Sequence, residues 1–540
     1  MTLFDVTDLA VTIHTGNRAR GRRAVRAVES ISFAVEPGQT AAIVGESGSG
    51  KSVSLLAATR LLGTDAEVTG SVRFAGRDLL TLDGRELRRI HGKDIGFVFQ
   101  DPQSNLHPYK TIGRQIDEVL RIHTRTDRRE RRDRVEELLA EVGIDEKGYD
   151  SYPSEFSGGM RQRAMIAMAI ALNPALIVAD EPTTALDVSV QAGILNLLKR
   201  LQREHGAAIL FVSHDLGVVH DIADTVTVVK DGRVVETGTR ERVYQHPQEQ
   251  YTCDLLSASR LHSLPGVDGS PLIDPVESTE PLLRVHGLRK SYRTRARRER
   301  RTVVDGLDFA IHPGEIVGLV GESGSGKSTV GRIVAGLQYA DAGEITLSGA
   351  RFPTAVADGV PALPASARRD VQLVFQDPYS SLNPRRSVAD SLAEPLRAQR
   401  VDHPTIDARV SSAAEDARLP RTLLDRFPAE LSGGQRQRAA IARALVLRPR
   451  LIVADEALSS LDVTTQSEII SLVVELVREH RTAFLFITHD LGVVSAIAHR
   501  VIVLGPEGLE ESGPTAEVFA APQSAYTRKL LDAVPRLTAS

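Results

Sequence analysis

Tryptophan is missing from this 540-residue chain, cysteine occurs once, and aromatic residues make up 4% of the sequence. A single thiol, Cys253, excludes an internal disulfide and fits a reducing compartment, and its simplest role is that of a small apolar filler. No stretch reaches the roughly 18 uninterrupted apolar residues of a membrane span. The best candidate, Ala164 to Ala179, is broken by Asn173 and Pro174, so any service to a membrane is expected from outside the bilayer. The opening residues, Met1 to Asp8, have neither a basic nor an apolar leader region, and we expect no secretory signal. Neither charge dominates: 66 basic against 70 acidic residues give a net charge of −4, which offers no global attraction to nucleic acid.

What the chain does contain is a phosphate-binding pattern, twice. Gly45-Glu46-Ser47-Gly48-Ser49-Gly50-Lys51-Ser52 is a G-x-x-x-x-G-K-S loop that returns as Gly321-Glu322-Ser323-Gly324-Ser325-Gly326-Lys327-Ser328. Each copy follows an apolar run (Ala41 to Val44; Ile316 to Val320) and precedes a helix-permitting segment, the strand, loop and helix context of a P-loop. Glycines let backbone N–H groups turn toward phosphate oxygens, the helix start adds its positive end, and Lys51 or Lys327 adds a point charge. Ser52 and Ser328 offer a hydroxyl to Mg2+.

Other landmarks repeat with the loops. Lys51 and Lys327 are 276 residues apart, as are Gln100 and Gln376, while the pairs Ser157 and Ser432, Asp180 and Asp455, and His214 and His489 are 275 apart. The chain is therefore a tandem duplication of whole domains, because the period is far longer than a solenoid repeat. We expect domains at residues 1–263 and 282–540, with a Pro-, Gly- and acid-rich linker at 264–281. Short alternating segments before each P-loop (Val11 to Ile13, Ile31 to Val35; Leu282 to Val285, Leu307 to Ile311) suggest β-strands. The basic runs Arg18 to Arg26 and Arg293 to Arg301 read as solvated hairpin tips, since no aromatic residues interleave with them. The segment Arg125 to Arg134 reads as an exposed helix face with Glu130 and Arg134 paired at i,i+4.

Two further patterns carry chemistry. Leu176 to Ala179 and Leu451 to Ala454 look like strands buried on both faces, and they end in the acid pairs Asp180-Glu181 and Asp455-Glu456. Adjacent residues at a strand end point in different directions, so the aspartate can face Mg2+ while the glutamate addresses a water in line with a γ-phosphate. Ser157-Gly158-Gly159 and Ser432-Gly433-Gly434 each introduce an alanine-rich helix, which makes a second anion-accepting helix start.

Taken in order, these motifs resemble the ABC-transporter ATPase family over nearly the whole chain. The resemblance implies two tandem P-loop NTPase domains of α/β class, each with an antiparallel β subdomain and a helical subdomain, the latter between Gln100 and Ser157 or between Gln376 and Ser432. It implies ATP and Mg2+ as cofactors. ATP would be bound by the two P-loops with Thr329, by Tyr292 stacking on adenine, and by the signature residues Ser157, Gly158, Gly159, Ser432, Gly433 and Gly434. Mg2+ would be held by Ser52, Gln100 and Asp180, and by Ser328, Gln376 and Asp455. Glu181, Glu456, His214, His489, Gln100 and Gln376 are the implied catalytic residues, and Leu186-Asp187 and Leu461-Asp462 the implied D-loops. The family sandwiches each nucleotide between one half's P-loop and the other half's signature, so the chain resembles an intramolecular pseudo-dimer.

Finer likeness narrows the class. Phe99-Gln100-Asp101-Pro102 with Leu106-His107-Pro108, Phe375-Gln376-Asp377-Pro378 with Leu382-Asn383-Pro384, and Tyr251-Thr252 and Tyr526-Thr527 are similar to ATP-binding subunits of dipeptide, oligopeptide and nickel importers, fused here as in microcin-C-type importers. That resemblance implies two membrane permeases and an extracytoplasmic solute-binding protein as partners, no nucleic acid, and a peripheral location on the cytoplasmic face of the inner membrane. Peptides are the expected cargo, with nickel and glutathione as alternatives. One cysteine is too few for the iron–sulfur cluster of many relatives. A ribosome-acting tandem protein would call for a long basic linker, and a drug exporter usually carries fused membrane spans. The second acid pair continues Ala457-Leu458-Ser459 where the first continues Pro182-Thr183-Thr184, a difference expected to be neutral. Ile13 stands where the second half has Tyr292, so the two sites are expected to differ in their grip on adenine.

Overall fold

The computed structural model describes residues 2–15, 23–63, 65–184, 186–260, 280–293, 300–353, 363–377, 381–459 and 461–534. The expected linker at 264–281 lies outside the described residues except for 280 and 281, as do residues 18–22 and 294–299 of the two basic runs. The chain forms two compact units that divide near Ser259 and Arg260.

In the first unit, five strands run parallel in the order Ile95–Val98, Leu176–Asp180, Ala208–Ser213, Thr40–Val44, Thr225–Lys230, followed by the antiparallel Arg233–Thr239. Parallel strands in a covered sheet bury both faces, which is why their sequences read as continuous apolar runs. Side chains alternate between the two faces. Ile177, Ala179, Ile209 and Phe211 enter one core cluster, while Leu176, Val178, Leu210 and Val212 enter another on the opposite face. The first cluster extends under the helices Ile112–His123, Arg128–Glu141 and Gly158–Ile170, the expected helical subdomain. The second is roofed by the antiparallel strands Phe4–Thr15, Arg23–Val35 and Ala66–Phe74. A single parallel bridge, Arg233 to Ser30, joins the two sheets.

The second unit repeats the plan. Its parallel sheet runs Val371–Val374, Leu451–Asp455, Ala483–Ile487, Ile316–Val320, Arg500–Gly505, with Gly508–Pro514 antiparallel at the edge. A separate antiparallel sheet contains Leu283–Arg293, Arg300–Ile311, Ala342–Leu347 and Ala350–Arg351. The helices Val388–Ala398, His403–Asp416 and Gly433–Leu445 cover the other face.

Two local readings are corrected. The strands before each P-loop are 11 to 13 residues long, because each first strand passes through a bulge that interrupts its alternation. At the bulge, Asp8 has φ 48° and Gly287 φ 58°, and their N–H groups bond side chains, Ser32 Oγ at 2.9 Å and Asp308 Oδ1 at 2.7 Å. The Glu130–Arg134 pair does not form. Glu130 turns back to accept from the Asp127 N–H at 3.1 Å, completing a capping box, and Arg134 pairs with Glu137.

Phe211 is among the largest fully buried side chains, whereas Tyr109 is 85% exposed. Phe211→Ala is expected to lower unfolding stability by about 3–5 kcal/mol. Tyr109→Ala should change it by no more than about 0.5 kcal/mol. Urea unfolding of the full chain checks both values.

Candidate functional site

Each parallel sheet gathers its expected site residues at the carboxyl ends of its strands. Gly45 and Gly321, at φ 155° and 148°, pass so close to the neighbouring strand that a Cβ would sit 2.1 Å from Val229 O or 2.0 Å from Leu504 O. Only glycine fits there. From this pinned start the loop wraps back to the helices Lys51–Ala58 and Lys327–Val334, whose first N–H groups have no partner within the helix.

The loop lysines are buried at 4% exposure. Lys51 Nζ donates to Gly45 O at 2.7 Å and Glu46 O at 2.8 Å, and Lys327 Nζ to Gly321 O at 2.7 Å and Glu322 O at 2.9 Å. Burial pulls the Lys327 ammonium below its ordinary range, so an anion delivered to the loop would relieve a desolvated charge. Ser49 Oγ and Ser325 Oγ are buried with no hydrogen-bond partner among the described residues. Orphaned donors beside a lysine and a helix start fit a polyphosphate. Ser47, Gly48, Ser323 and Gly324 form the exposed lip of the loops.

The first acid of each pair meets the loop. Ser52 Oγ donates to Asp180 Oδ1 at 3.0 Å and Ser328 Oγ to Asp455 Oδ1 at 2.9 Å. Burial, with the neighbouring Glu181 carboxylate, pushes Asp180 up to about 6, and burial raises Asp455 in the same direction. A buried carboxylate oxygen next to a hydroxyl is a hard-oxygen donor set that fits Mg2+.

The second acid sits on a strained residue. Glu181 has φ 45° and Glu456 φ 48°, a left-handed conformation uncommon outside glycine, and their N–H groups are tied to Val212 O and Ile487 O at 2.8 Å. The carboxylates are thereby turned toward the candidate glutamines and histidines. Gln100 Nε2 donates to Glu181 Oε2 at 2.8 Å and Gln376 Nε2 to Glu456 Oε2 at 2.6 Å. His214 Nδ1 lies 3.0 Å from Glu181 Oε1, and His489 Nδ1 3.7 Å from Glu456 Oε1. Burial pushes Glu181 up, but His214, Lys51 and Thr184 together outweigh it and hold the carboxyl below its usual range. Burial likewise opposes the charged form of His214, and Glu181 overrides it, so this imidazole is held above its ordinary value. In the second unit His489 lowers Glu456, and Glu456 raises His489 against burial.

Not every candidate joins this group. Ser157 and Ser432 cap the helices Gly158–Ile170 and Gly433–Leu445, accepting from Met160 N at 3.3 Å and Gln435 N at 3.2 Å. Gly158, Gly159, Gly433 and Gly434 form the first turns of those helices.

The units also differ in ways that a motif reading misses. Thr184 Oγ1 donates to Glu181 Oε2 at 3.0 Å, whereas its counterpart Ser459 bonds the Glu456 backbone carbonyl, so the change after the acid pair alters the carboxylate's partners. Strand register puts Ile13 opposite Val25 and Tyr292 opposite Arg301, which makes Ile13 and Tyr292 equivalent. Tyr292 Oη lies 3.2 Å from Thr329 Oγ1 and accepts from Gln338 Nε2 at 2.7 Å, leaving the side chain partly exposed. At the matching places the first unit has Ile13, Val53 and Leu62, all packed against its core. The signal was available in sequence as three coordinated polar-to-apolar differences.

Comparison with known proteins identifies the family. The family described as ABC transporter matches residues 28–184 and 304–459, and the oligopeptide/dipeptide transporter C-terminal region matches 511–540. The chain is 44% identical over 537 residues to the peptidoglycan transport ATP-binding protein YejF of Agrobacterium fabrum, covering 98% of this chain and 96% of that protein. It is also 44% identical over 549 residues to the glutathione import ATP-binding protein GsiA of Shigella dysenteriae serotype 1, covering 95% and 87%. A solved dimeric ATP-binding cassette in a post-hydrolysis state with ADP and Pi aligns over 44% of this chain and 98% of its own, at 31% identity and TM-score 0.40. With two matched copies of the domain and relatives aligned along nearly its full length, the chain belongs to the ABC transporter family as a tandem ATPase.

Proposed function

We propose that this ATPase energises import of short peptides or peptide-containing solutes through partner permeases, on the cytoplasmic side of the membrane. The observation that carries the cargo class is the match of residues 511–540 to the oligopeptide/dipeptide transporter C-terminal region. Relatives named for peptidoglycan and for glutathione transport support the same class, since both solutes contain peptide. Among the described residues no helix is long and apolar enough to cross a membrane, so the translocation path is assigned to separate permeases and solute delivery to a binding protein. Pull-down of the chain from membranes, followed by uptake of labelled di- and tripeptides by the reconstituted complex, tests this reading. Uptake confined to a metal ion or to a non-peptide solute would refute it.

In the mechanism we assign, Lys51 and Lys327 neutralise phosphate oxygens, and the loop N–H groups orient them. Ser52, Asp180 and Gln100, or Ser328, Asp455 and Gln376, would hold Mg2+, which supplies charge neutralisation across the transferred phosphate. Glu181 and Glu456, kept ionised by their histidines, accept a hydrogen bond from the attacking water and draw its proton away. Gln100, Gln376, His214 and His489 hold that carboxylate in place. Ser157 and Ser432 serve as anion-accepting helix starts.

Three outcomes follow from these assignments. Glu181→Gln with Glu456→Gln should reduce ATP turnover about a hundredfold or more while leaving nucleotide affinity near normal, read by phosphate release and equilibrium binding. Lys51→Ala with Lys327→Ala should weaken ATP binding itself by about tenfold to a hundredfold, the scale of a charged hydrogen bond. Tyr292→Ile should erase the difference between the sites in ATP over GTP preference, measured with the other loop lysine disabled. Equal preference at both sites in the unaltered chain would remove any consequence from the Ile13 difference.

A further inference from the structure

After the last strand of each unit, the chain makes a turn that the assigned mechanism does not use. In the first unit, Glu236 is buried on the strand Arg233–Thr239 and accepts the N–H groups of Gln248 at 3.0 Å and Glu249 at 3.3 Å. Gln248 Nε2 closes the turn on His246 O at 2.9 Å. In the second unit, Glu511 accepts from Gln523 N at 2.9 Å and Ser524 N at 3.1 Å, and Gln523 Nε2 bonds Ala521 O at 2.9 Å. A carboxylate accepting two backbone amides fixes the turn rigidly. The result is the placement of one aromatic residue at the start of the following helix, Tyr251 in Gln250–Arg260 and Tyr526 in Ala525–Asp532.

Both hydroxyls reach the P-loop of their own unit. Tyr251 Oη accepts from Glu46 N at 3.3 Å and Tyr526 Oη from Glu322 N at 3.0 Å. The carbonyl of the same residue is the hub of the loop. Glu46 O takes Lys51 Nζ at 2.8 Å and Ser49 N at 3.2 Å, and Glu322 O takes Lys327 Nζ at 2.9 Å and Ser325 N at 3.2 Å. The tyrosine therefore grips one polar group of a residue whose other polar group holds the phosphate-binding lysine. The supports of the rings differ: Lys230 lies 4.5 Å over the Tyr251 ring, whereas Gly505 stands at its place in the second unit. A contact kept in both units while its surroundings vary points to the loop rather than to packing.

We propose that Tyr251 and Tyr526 are positioning residues for nucleotide binding, each holding the entry arm of its P-loop so that the turn on Glu236 or Glu511 sets ATP affinity. This rests on the assignment of the loops as the ATP sites. Neither tyrosine touches reacting atoms, so its loss weakens ground state and transition state alike and is read in KM rather than in kcat.

The test uses the full-length chain with its permeases. Tyr251→Phe with Tyr526→Phe is expected to raise the KM for ATP about three- to tenfold, the size of one neutral hydrogen bond, with kcat changed less than about twofold. Amide exchange at Glu46 and Glu322 should speed up in the same variant, and melting without nucleotide should stay as in the unaltered chain. Glu511→Ala, which frees the turn but keeps the tyrosine, should raise KM non-additively with Tyr526→Phe, and this comparison decides the matter if the double phenylalanine variant proves unstable. Unchanged KM in the tyrosine variants, or additive effects of Glu511→Ala and Tyr526→Phe, overturns the proposal. The lysine variants Lys51→Ala and Lys327→Ala, run alongside with a fluorescent ATP analogue, separate the two levels. If they keep full affinity, the loop assignment fails and the proposal with it, whereas lost affinity there with unchanged tyrosine variants sinks the proposal alone.

Discussion

The contact on which each site depends is a steric one. At Gly45 and Gly321 the backbone leaves its strand and turns against the carbonyl of Val229 or Leu504, with about 2 Å where a Cβ would have to stand. Any other residue would lift the loop off the sheet. Because the loop start is pressed there, the carbonyls of Gly45 and Glu46, and of Gly321 and Glu322, lie where the buried lysines can bond them. The carbonyls that hold each ammonium carry no formal charge, so a phosphate oxygen offers it a stronger, charge-assisted hydrogen bond.

The second constraint is backbone strain at the second acid of each pair. Glu181 and Glu456 hold a left-handed conformation, which costs roughly 1–3 kcal/mol and persists only because the adjacent strand anchors their N–H groups. The strain separates two consecutive carboxylates. Asp180 faces the Ser52 hydroxyl while Glu181 faces Gln100 and His214, so neighbouring acids enter different environments and shift in opposite directions. The division we propose for the pair, between a cation-binding and a proton-accepting role, rests on this separation.

Duplication has preserved these constraints and relaxed others. The loop, the acid pair and the tyrosine contact recur with nearly the same distances. The surroundings diverge: Thr184 supports its carboxylate where Ser459 does not, and a hydrogen-bonded Tyr292, Thr329 and Gln338 stand against an apolar Ile13, Val53 and Leu62. These differences change the partners of each carboxylate and the side chains beside each P-loop, not whether the motifs are present.

The order of motifs and their doubled spacing were enough to determine the family and the tandem two-domain plan and to nominate the candidate site residues, because a phosphate loop needs glycines, lysine and hydroxyl in consecutive positions. Continuous apolar runs likewise identified the buried parallel strands, whose two faces are both covered. Long-range contacts were not legible. The bulges at Asp8 and Gly287 hid the length of the first strands, since one residue of irregular backbone breaks an alternating pattern without a distinctive sequence mark. Glu130 had two partners within reach, and the helix start, with its unpaired N–H groups, took precedence over an exposed ion pair. Tyr251 and Tyr526 were visible as a family resemblance, yet only the fold brought them to a loop more than 200 residues earlier, because the edge strand and its amide-accepting glutamate decide where the returning chain lands.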